Sequence, residues 1–272
     1  MRRQLLAVCT AAAIAALAPA TASAWAPADE ATVHPGVMTF TDGGQCTSNF
    51  VYTDESGVYL GQAAHCSATG DATETNGCDS GSLPVGTPVE IDGASRPGTM
   101  VYNSWLTMQA KGERDPNRCD FNDLALVKVD PADVANVNPS VPGFGGPTGV
   151  GGADVGETVY SYGNSSLRGG VTKLSPRQGK VVATEGNGWS RTVYTASPGL
   201  PGDSGSGFLN GTGQAIGVLS TLQIFPTAGS NGIGDLGREL NYMRANSAFS
   251  GVQLESGTEP FGGDLARAVL GA

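Results

Sequence analysis

Short segments in which apolar and polar residues alternate, separated by turn residues, constrain the fold of this chain more than any other feature. Alternation with a period of two is typical of half-buried β-strands, and glycine-rich turns connect antiparallel strands. With 41 glycines among 272 residues, the chain has such turns throughout. The sequence therefore predicts an all-β protein. Candidate strands cover residues 49–53, 57–64, 99–105, 123–129, 158–163, 180–186 and 191–197, with a hairpin at 207–220.

The candidate strands fall into two sets, separated by a segment rich in proline and glycine. The spacing of Leu236, Leu240 and Met243 predicts one helix at the end of the second set. We therefore divide the chain into a signal peptide (1–24), an N-terminal β unit (25–135), a linker (136–156), a C-terminal β unit with the final helix (157–245) and a tail (246–272).

The N-terminus has the three parts of a secretory signal peptide. Two arginines precede an apolar run, and a cleavage site of small residues ends at Ala24. A lipoprotein signal centred on Cys9 fits less well, because few apolar residues precede that cysteine. We therefore expect a secreted, extracellular protein whose mature chain begins at Trp25.

Charge and cysteine content narrow the classes of partner and cofactor. A formal net charge of −10 argues against nucleic acids and anionic membranes as partners. We also expect the protein to be a monomer. Of the five cysteines, Cys9 lies in the signal peptide, and the even number that remains favours disulfides. The chain has no C-x-x-C spacing and only two histidines, His34 and His65, so we expect neither a metal site nor a cofactor.

The stretch PGDSGSG at residues 201–207 places Ser204 among glycines in a segment too polar for a core. A serine hydroxyl becomes a nucleophile only when a neighbouring base accepts its proton, and histidine suits that role near neutral pH. Both histidines precede the serine in this chain. This order excludes the α/β-hydrolases, whose histidine follows the serine, and Ser206 also breaks their G-x-S-x-G pattern.

Two further segments carry a candidate base and a candidate carboxylate. His65 follows an apolar strand in GQAAHC, directly beside Cys66. Asp123 opens the alternating strand in FNDLALVKV, where a carboxylate is costly to bury unless it is paired. Asp120, in what the sequence predicts to be a loop, is the alternative carboxylate. Either aspartate could orient the imidazole of a catalytic histidine.

The segments AAHC, DLAL and GDSG occur in this order and resemble the three signature segments of the chymotrypsin-like serine proteases, in particular their secreted bacterial branch. The resemblance covers about residues 35–245. It implies two packed six-stranded antiparallel β-barrels and a C-terminal helix, with the active site between the barrels. It also implies that His65 is the general base, Asp123 its orienting carboxylate and Ser204 the nucleophile.

Further roles are implied by the same resemblance. The backbone N–H groups of Gly202 and Ser204 would form the oxyanion hole, and Ser220 would hydrogen-bond the buried aspartate. In animal digestive relatives, a freed N-terminal amine pairs with the aspartate before the serine, here Asp203. The segment after Trp25 does not resemble their apolar insertion peptide. A partner within the chain is therefore expected for that aspartate, with two candidates, Arg168 and Arg177. The resemblance pairs Cys46 with Cys66, which leaves Cys78 to pair with Cys119.

The resemblance assigns the specificity pocket to four residues, Pro198, Ser220, Thr221 and Leu222. Relatives that cut after Lys or Arg have an aspartate where this chain has Pro198, and relatives that cut after Glu have a histidine where it has Leu219. An uncharged pocket predicts cleavage after apolar or small residues. Asp235 could place an acid at the base of the pocket, but it fits equally well as the N-cap of the final helix.

The sequence thus predicts a secreted serine endopeptidase that hydrolyses protein or peptide substrates through an acyl-enzyme intermediate. The alternative is a non-catalytic binding or inhibitory protein with the same fold. Such proteins usually lack one residue of the triad, whereas His65, Asp123 and Ser204 are all present in this chain.

Overall fold

The structure is a computed structural model that describes residues 25–70, 75–223 and 229–271. The predicted signal peptide lies outside the described residues. The strands are Met38–Thr41 (β1), Gly44–Thr47 (β2), Val51–Asp54 (β3), Gly57–Ala63 (β4), Pro88–Ile91 (β5), Gly98–Asn103 (β6), Leu124–Lys128 (β7), Thr158–Tyr162 (β8), Pro176–Glu185 (β9), Ser190–Thr195 (β10), Gly207–Asn210 (β11), Ala215–Gln223 (β12), Ser230–Asp235 (β13) and Gln253–Leu254 (β14). The α-helices are Ser104–Lys111 (α1), Pro116–Phe121 (α2), Leu236–Asn246 (α3) and Leu265–Leu270 (α4).

The C-terminal unit is a closed antiparallel barrel with the strand order β10-β13-β12-β11-β8-β9. Inward-facing apolar side chains, including Val159, Phe208 and Ile233, fill its interior. The predicted hairpin is β11 and β12, and the side-chain oxygen of Asn210 accepts hydrogen bonds from two backbone N–H groups of the turn. This unit therefore has the six-stranded barrel that the resemblance implies.

The N-terminal unit differs from the predicted closed six-stranded barrel. Its strands β1 to β7, joined by β14, form an open sheet in the order β14-β3-β4-β7-β6-β5-β1-β2. At the β2 edge, the N–H of Thr47 donates to the carbonyl of Ser204 in the other unit. At the β3 edge, Thr53 pairs with Gln253 of the tail. Both edges of the sheet are therefore paired with residues from the C-terminal half of the chain rather than with each other.

Two short helices between β6 and β7 were not predicted. The candidate strand at 99–105 ends at Asn103, whose side chain accepts the N–H of Leu106 and caps α1. Asp115 caps α2, which begins with Pro116, a residue that favours the first turn of a helix. No helix among the described residues is long and apolar enough to cross a membrane.

The tail contacts both units. Strand β14 extends the N-terminal sheet, whereas Phe261 packs edge-on against Tyr160 of β8 with ring centroids 5.5 Å apart. The ring of Phe261 also fills the space beside Gly213, where a Cβ would lie 2.5 Å from the ring. Burial of these apolar groups stabilises the arrangement of both units through one segment of chain.

We predict that Phe261→Ala lowers the free energy of unfolding by about 2 kcal/mol, because a partly buried ring is removed from a packed contact. Chemical denaturation measures this change. Leu270→Ala is the control, since that side chain is 79% exposed and its removal should cost less than about 0.5 kcal/mol. Equal stability of the Phe261→Ala variant and the parent would show that the tail is not part of the folded core.

Candidate active site

His65 and Asp123 lie at neighbouring ends of two paired strands. His65 belongs to a 3₁₀ helix, Ala64–Ser67, directly after β4, and Asp123 directly precedes β7. Because Ala63 of β4 pairs with Leu124 of β7 in antiparallel fashion, Ala64 lies beside Asp123. His65 follows Ala64 and is therefore close to Asp123. The distance from His65 Nδ1 to Asp123 Oδ2 is 2.6 Å, and Asp123 Oδ1 accepts the backbone N–H of His65 at 2.9 Å. The alternative carboxylate, Asp120, instead accepts a hydrogen bond from Asn76.

Ser220 connects the C-terminal barrel to this pair. Its Oγ donates to Asp123 Oδ2 at 2.5 Å. The pairing of β12 with β13 shifts register between Leu219 and Thr221, so Ser220 is the extra residue of a β-bulge. The bulge directs the hydroxyl to the neighbouring unit, where it gives Oδ2 of the buried carboxylate a second hydrogen bond beside that from His65.

The segment that contains His65 is held by a disulfide. Cys66 is bonded to Cys46 of β2, and Cys78 is bonded to Cys119 of α2, which are the two pairs expected from the sequence. The sulfurs of Cys46 and Cys66 lie close to the His65 ring. Because both sulfurs are in the disulfide, they are not thiolates and do not provide metal ligands.

The turn that carries Ser204 packs against the strand that leads to His65. The carbonyl of Ser204 accepts the N–H of Thr47 at 2.8 Å. Gly205 has φ +89°, and a Cβ at this position would lie 2.8 Å from the backbone nitrogen of Ala63. The N–H of Gly205 donates to the carbonyl of Leu219, the residue before Ser220. The three segments that the sequence analysis singled out therefore meet at the contact between the two units.

Gly202 and Ser204 present backbone N–H groups that donate to no other described residue. Gly202 has φ +97°, a conformation that favours glycine, and a Cβ there would lie 2.9 Å from the side-chain oxygen of Gln45. The carboxamide of Gln45 in turn donates to the carbonyl of Asn164 and accepts the N–H of Ser166. Gln45 thus connects β2 to the loop beside the turn that carries Ser204, a role that the sequence analysis did not assign.

Asp203 is fully buried and receives all its partners from within the chain. Arg168 binds its carboxylate in bidentate fashion at 2.6 and 2.8 Å, and Nη1 of Arg177 lies 3.4 Å from Oδ2. The N–H groups of Ser165 and Leu200 also donate to this carboxylate. Both candidate arginines therefore contact Asp203, and Arg168 forms the shorter pair.

We predict that Arg168→Ala lowers the free energy of unfolding by about 3 kcal/mol and reduces turnover, because it leaves a buried carboxylate poorly compensated beside the nucleophile. Thermal or chemical denaturation checks the first effect and steady-state kinetics the second. The control is Arg114→Ala, an exposed residue of the same type, which should change neither. Parent-like stability of the Arg168→Ala variant would contradict this account of the turn.

The electrostatic environment of His65 favours its protonated form. Burial lowers the pKa of His65, but the negative charge of Asp123 and the hydrogen bond to it outweigh burial and leave the pKa raised. In contrast, burial lowers the pKa of His34, and its hydrogen bond to Pro35 and the charge of Asp92 only partly offset this. The chain therefore contains two histidines whose pKa values shift in opposite directions.

We predict that NMR titration of the two imidazoles gives one midpoint above 6.5, for His65, and one below it, for His34. His34→Gln assigns the signals. A general base is active when neutral, so the raised pKa means that activity falls on acidification at a higher pH than for a free imidazole. Asp123→Asn should lower the His65 midpoint, since burial then acts without the opposing charge. A midpoint that did not move in this variant would contradict the assignment.

Of the residues assigned to the specificity pocket, Leu222 packs closely against Gly199, which directly follows Pro198. Beside Pro198, a Cβ at Gly199 would lie 2.9 Å from Cδ2 of Leu222 and 2.4 Å from the side-chain oxygen of Asn231. Asp235 does not provide an acid there, because its carboxylate caps α3 and pairs with Arg191 at 2.5 Å. Next to Asp123 and Ser220, a cavity of about 270 Å³ is lined by Thr75, Asp120, Phe121, Ser190, Ser220, Thr221, Gly232 and Gly234.

Comparison with solved structures shows the same fold in bacterial proteases. Protease A of Thermobifida fusca is 20% identical, with a TM-score of 0.55 over 83% of this chain and 99% of that chain. A chymotrypsin of Cellulomonas bogoriensis is 19% identical, with a TM-score of 0.51 over 82% and 98%. A glutamic acid specific serine protease that uses a histidine triad in substrate binding is 20% identical, with a TM-score of 0.50 over 82% and 100%.

A search of curated proteins found no match.

The comparison with protein families gives a match over most of the two β units. The model of the trypsin-like peptidase domain matches residues 51–218, which is more than half of the chain and includes His65, Asp123 and Ser204. Together with the fold and the convergence of these three segments, this match shows that the chain belongs to the family of trypsin-like peptidase domains.

Proposed function

We propose that this protein is a secreted serine endopeptidase in which Ser204, His65 and Asp123 form the catalytic triad. The observation that carries the proposal is the 2.6 Å contact between His65 Nδ1 and a carboxylate of Asp123 that is almost completely buried. A buried carboxylate in this position holds the imidazole in one tautomer and stabilises its charged form. The two disulfides support an oxidising compartment, as expected for an exported protein.

The proposed reaction is a two-step acyl transfer. Ser204 Oγ attacks the carbonyl carbon of the scissile bond while His65 Nε2 accepts the hydroxyl proton, and Nδ1–H remains bonded to Asp123. The N–H groups of Gly202 and Ser204 stabilise the oxyanion that forms. The oxyanion then re-forms the carbonyl and the C–N bond breaks while His65 donates its proton to the leaving amine, which leaves an acyl group on Ser204. Water, deprotonated by His65, hydrolyses this ester and restores the hydroxyl of Ser204.

A non-catalytic binding protein of the same fold is the alternative. Binding proteins of this kind usually lack one residue of the triad, whereas His65, Asp123 and Ser204 are all present in this chain. The short contact of His65 with the buried carboxylate of Asp123 also supports the enzyme, because it orients an imidazole for proton transfer.

We predict that a fluorophosphonate probe labels the parent once, on Ser204, and does not label Ser204→Ala. His65→Ala or Ser204→Ala should lower turnover by about a million-fold, and Asp123→Asn by about ten-thousand-fold. Asp120→Asn is the matched control and should retain activity within about tenfold of the parent. Peptide mapping locates the adduct, and an unlabelled parent would favour the binding protein.

We infer the substrate preference from the residues assigned to the pocket. None of Pro198, Ser220, Thr221 and Leu222 carries a charge, so small or apolar side chains before the scissile bond should fit better than ionic ones. The histidine triad of the glutamic acid specific relative has no counterpart here, since this chain has only two histidines and both precede Asp123.

We predict the highest kcat/KM for peptides with Ala, Val or Leu before the scissile bond, in a series that also contains Phe, Glu and Arg. Leu222→Gly should raise the ratio for Phe over Ala by about tenfold, because it widens the pocket. Val85→Ala, an exposed change outside the residues assigned to the pocket, should leave the ratio unaltered. A preference for Arg or Glu above about a hundredfold would contradict this account of the pocket.

A further inference from the structure

Glu239 is a buried acid that lies directly behind the catalytic carboxylate. It belongs to the first turn of α3, and its side chain is fully buried. Its Oε1 accepts the backbone N–H of Asp123 at 2.9 Å, across 116 residues of sequence. This contact connects the last helix of the C-terminal unit to the residue that orients His65.

The bond from Glu239 completes the set of hydrogen bonds around Asp123. The carbonyl of Asp123 accepts the N–H of Ala64, and its carboxylate accepts hydrogen bonds from His65 and Ser220. The remaining polar group is the backbone N–H, which donates to Glu239. Each polar group of Asp123 therefore has a partner, so the backbone and the side chain of this residue are both fixed.

The neighbouring strand leaves room for this acid. A Cβ at Gly234 of β13 would lie 2.4 Å from Oε1 of Glu239 and 2.9 Å from the carbonyl oxygen of Phe121. A side chain at position 234 would thus displace the carboxyl group. The glycine lets β13 and α3 approach the chain segment just before Asp123.

The surroundings of Glu239 disfavour a second negative charge. Burial raises the pKa of Glu239 well above its usual value, and the charges of Asp123 and Asp235 raise it further, whereas the hydrogen bond from the Asp123 N–H opposes them. The other ionisable groups that face this site are the phenols of Tyr52 and Tyr102, whose pKa values are also raised, first by burial and then by Glu239. Arg244 lowers the pKa of Tyr52 but leaves it raised.

We propose that Glu239 is a positioning residue that holds the main chain of Asp123 so that its carboxylate stays aligned with His65. This role rests on the proposed function. The N–H of Asp123 requires only an acceptor oxygen, and the raised pKa of Glu239 favours the neutral acid, which still provides one. A neutral group also avoids repulsion behind the single negative charge that stabilises protonated His65.

Two substitutions separate the acceptor from the acid. Glu239→Gln keeps an acceptor oxygen and neutrality, and Glu239→Met fills the volume without an acceptor. Leu240→Ala is the control, because it removes a buried apolar side chain from the same helix and destabilises the chain without removing an acceptor from Asp123. The readouts are kcat and KM on one peptide substrate, the pH profile of kcat/KM, and the NMR titration of His65, which needs no turnover.

We expect Glu239→Gln to keep kcat within about threefold of the parent and to leave the His65 midpoint unchanged. Glu239→Met should lower kcat by about tenfold to a hundredfold with little change in KM, and it should lower the His65 midpoint, because the carboxylate of Asp123 loses its alignment. Leu240→Ala should lower the melting temperature alone.

Three results would overturn the role of Glu239. One is a parent-like His65 midpoint in Glu239→Met, another is a loss in Glu239→Gln as large as in Glu239→Met, and the third is an equal loss in Leu240→Ala. If the parent were not a peptidase, kcat would be absent in every variant, and the His65 titration would still decide the role. Failure of the proposed function and failure of this inference are thus distinguishable.

Discussion

The buried negative charge of Asp123 is the constraint on which the active site depends. A carboxylate removed from water is stable only when hydrogen-bond donors and a compensating charge surround it. Here the donors are His65 after β4 and Ser220 on the bulge of β12. The N-terminal unit supplies the first donor and the C-terminal unit the second. The charge is therefore satisfied only when both units are packed together.

A second buried carboxylate performs a similar task for the nucleophile. Asp203 immediately precedes Ser204 and is held by Arg168, Arg177 and two backbone N–H groups. The C-terminal unit thus fixes the turn through an ion pair. The N-terminal unit fixes it through Thr47, whose N–H and hydroxyl donate to the carbonyls of Ser204 and Gly202. This arrangement needs no chain terminus, which agrees with the absence of an apolar insertion peptide.

Local sequence signals predicted much of the fold and brought the proposed site residues to attention. Alternation predicted strands β3, β4 and β6 to β10 and the hairpin of β11 and β12. The spacing of three apolar residues predicted α3, with Asp235 as a candidate cap. The very short strands β1, β2 and β5, and the polar, glycine-rich β13, lack that signal. Helix α1 buries few apolar side chains, among them Trp105 and Met108, so its periodicity is weak.

Features that depend on contacts distant in sequence could not be predicted. The N-terminal sheet stays open because its two edges contact Ser204 and the tail. The roles of Gln45 and Glu239 depend on partners more than a hundred residues away in sequence. A lone glutamine or glutamate carries no local pattern that indicates such a partner. The residues of the proposed triad could be predicted because they lie in three short motifs that occur in a fixed order. The residues that hold them in place belong to no such motif.

Pre-steady-state hydrolysis of an activated p-nitrophenyl ester tests the central claim most directly, because it follows the acyl-enzyme itself. The account predicts a rapid burst of about one equivalent of p-nitrophenolate per molecule, followed by a slower steady rate, with the acyl group recovered on Ser204 at acidic pH. Ser204→Ala should abolish the burst and His65→Ala should slow it by orders of magnitude. Linear release without a burst and without an acyl group on Ser204, or a burst that persists in Ser204→Ala, would contradict the account.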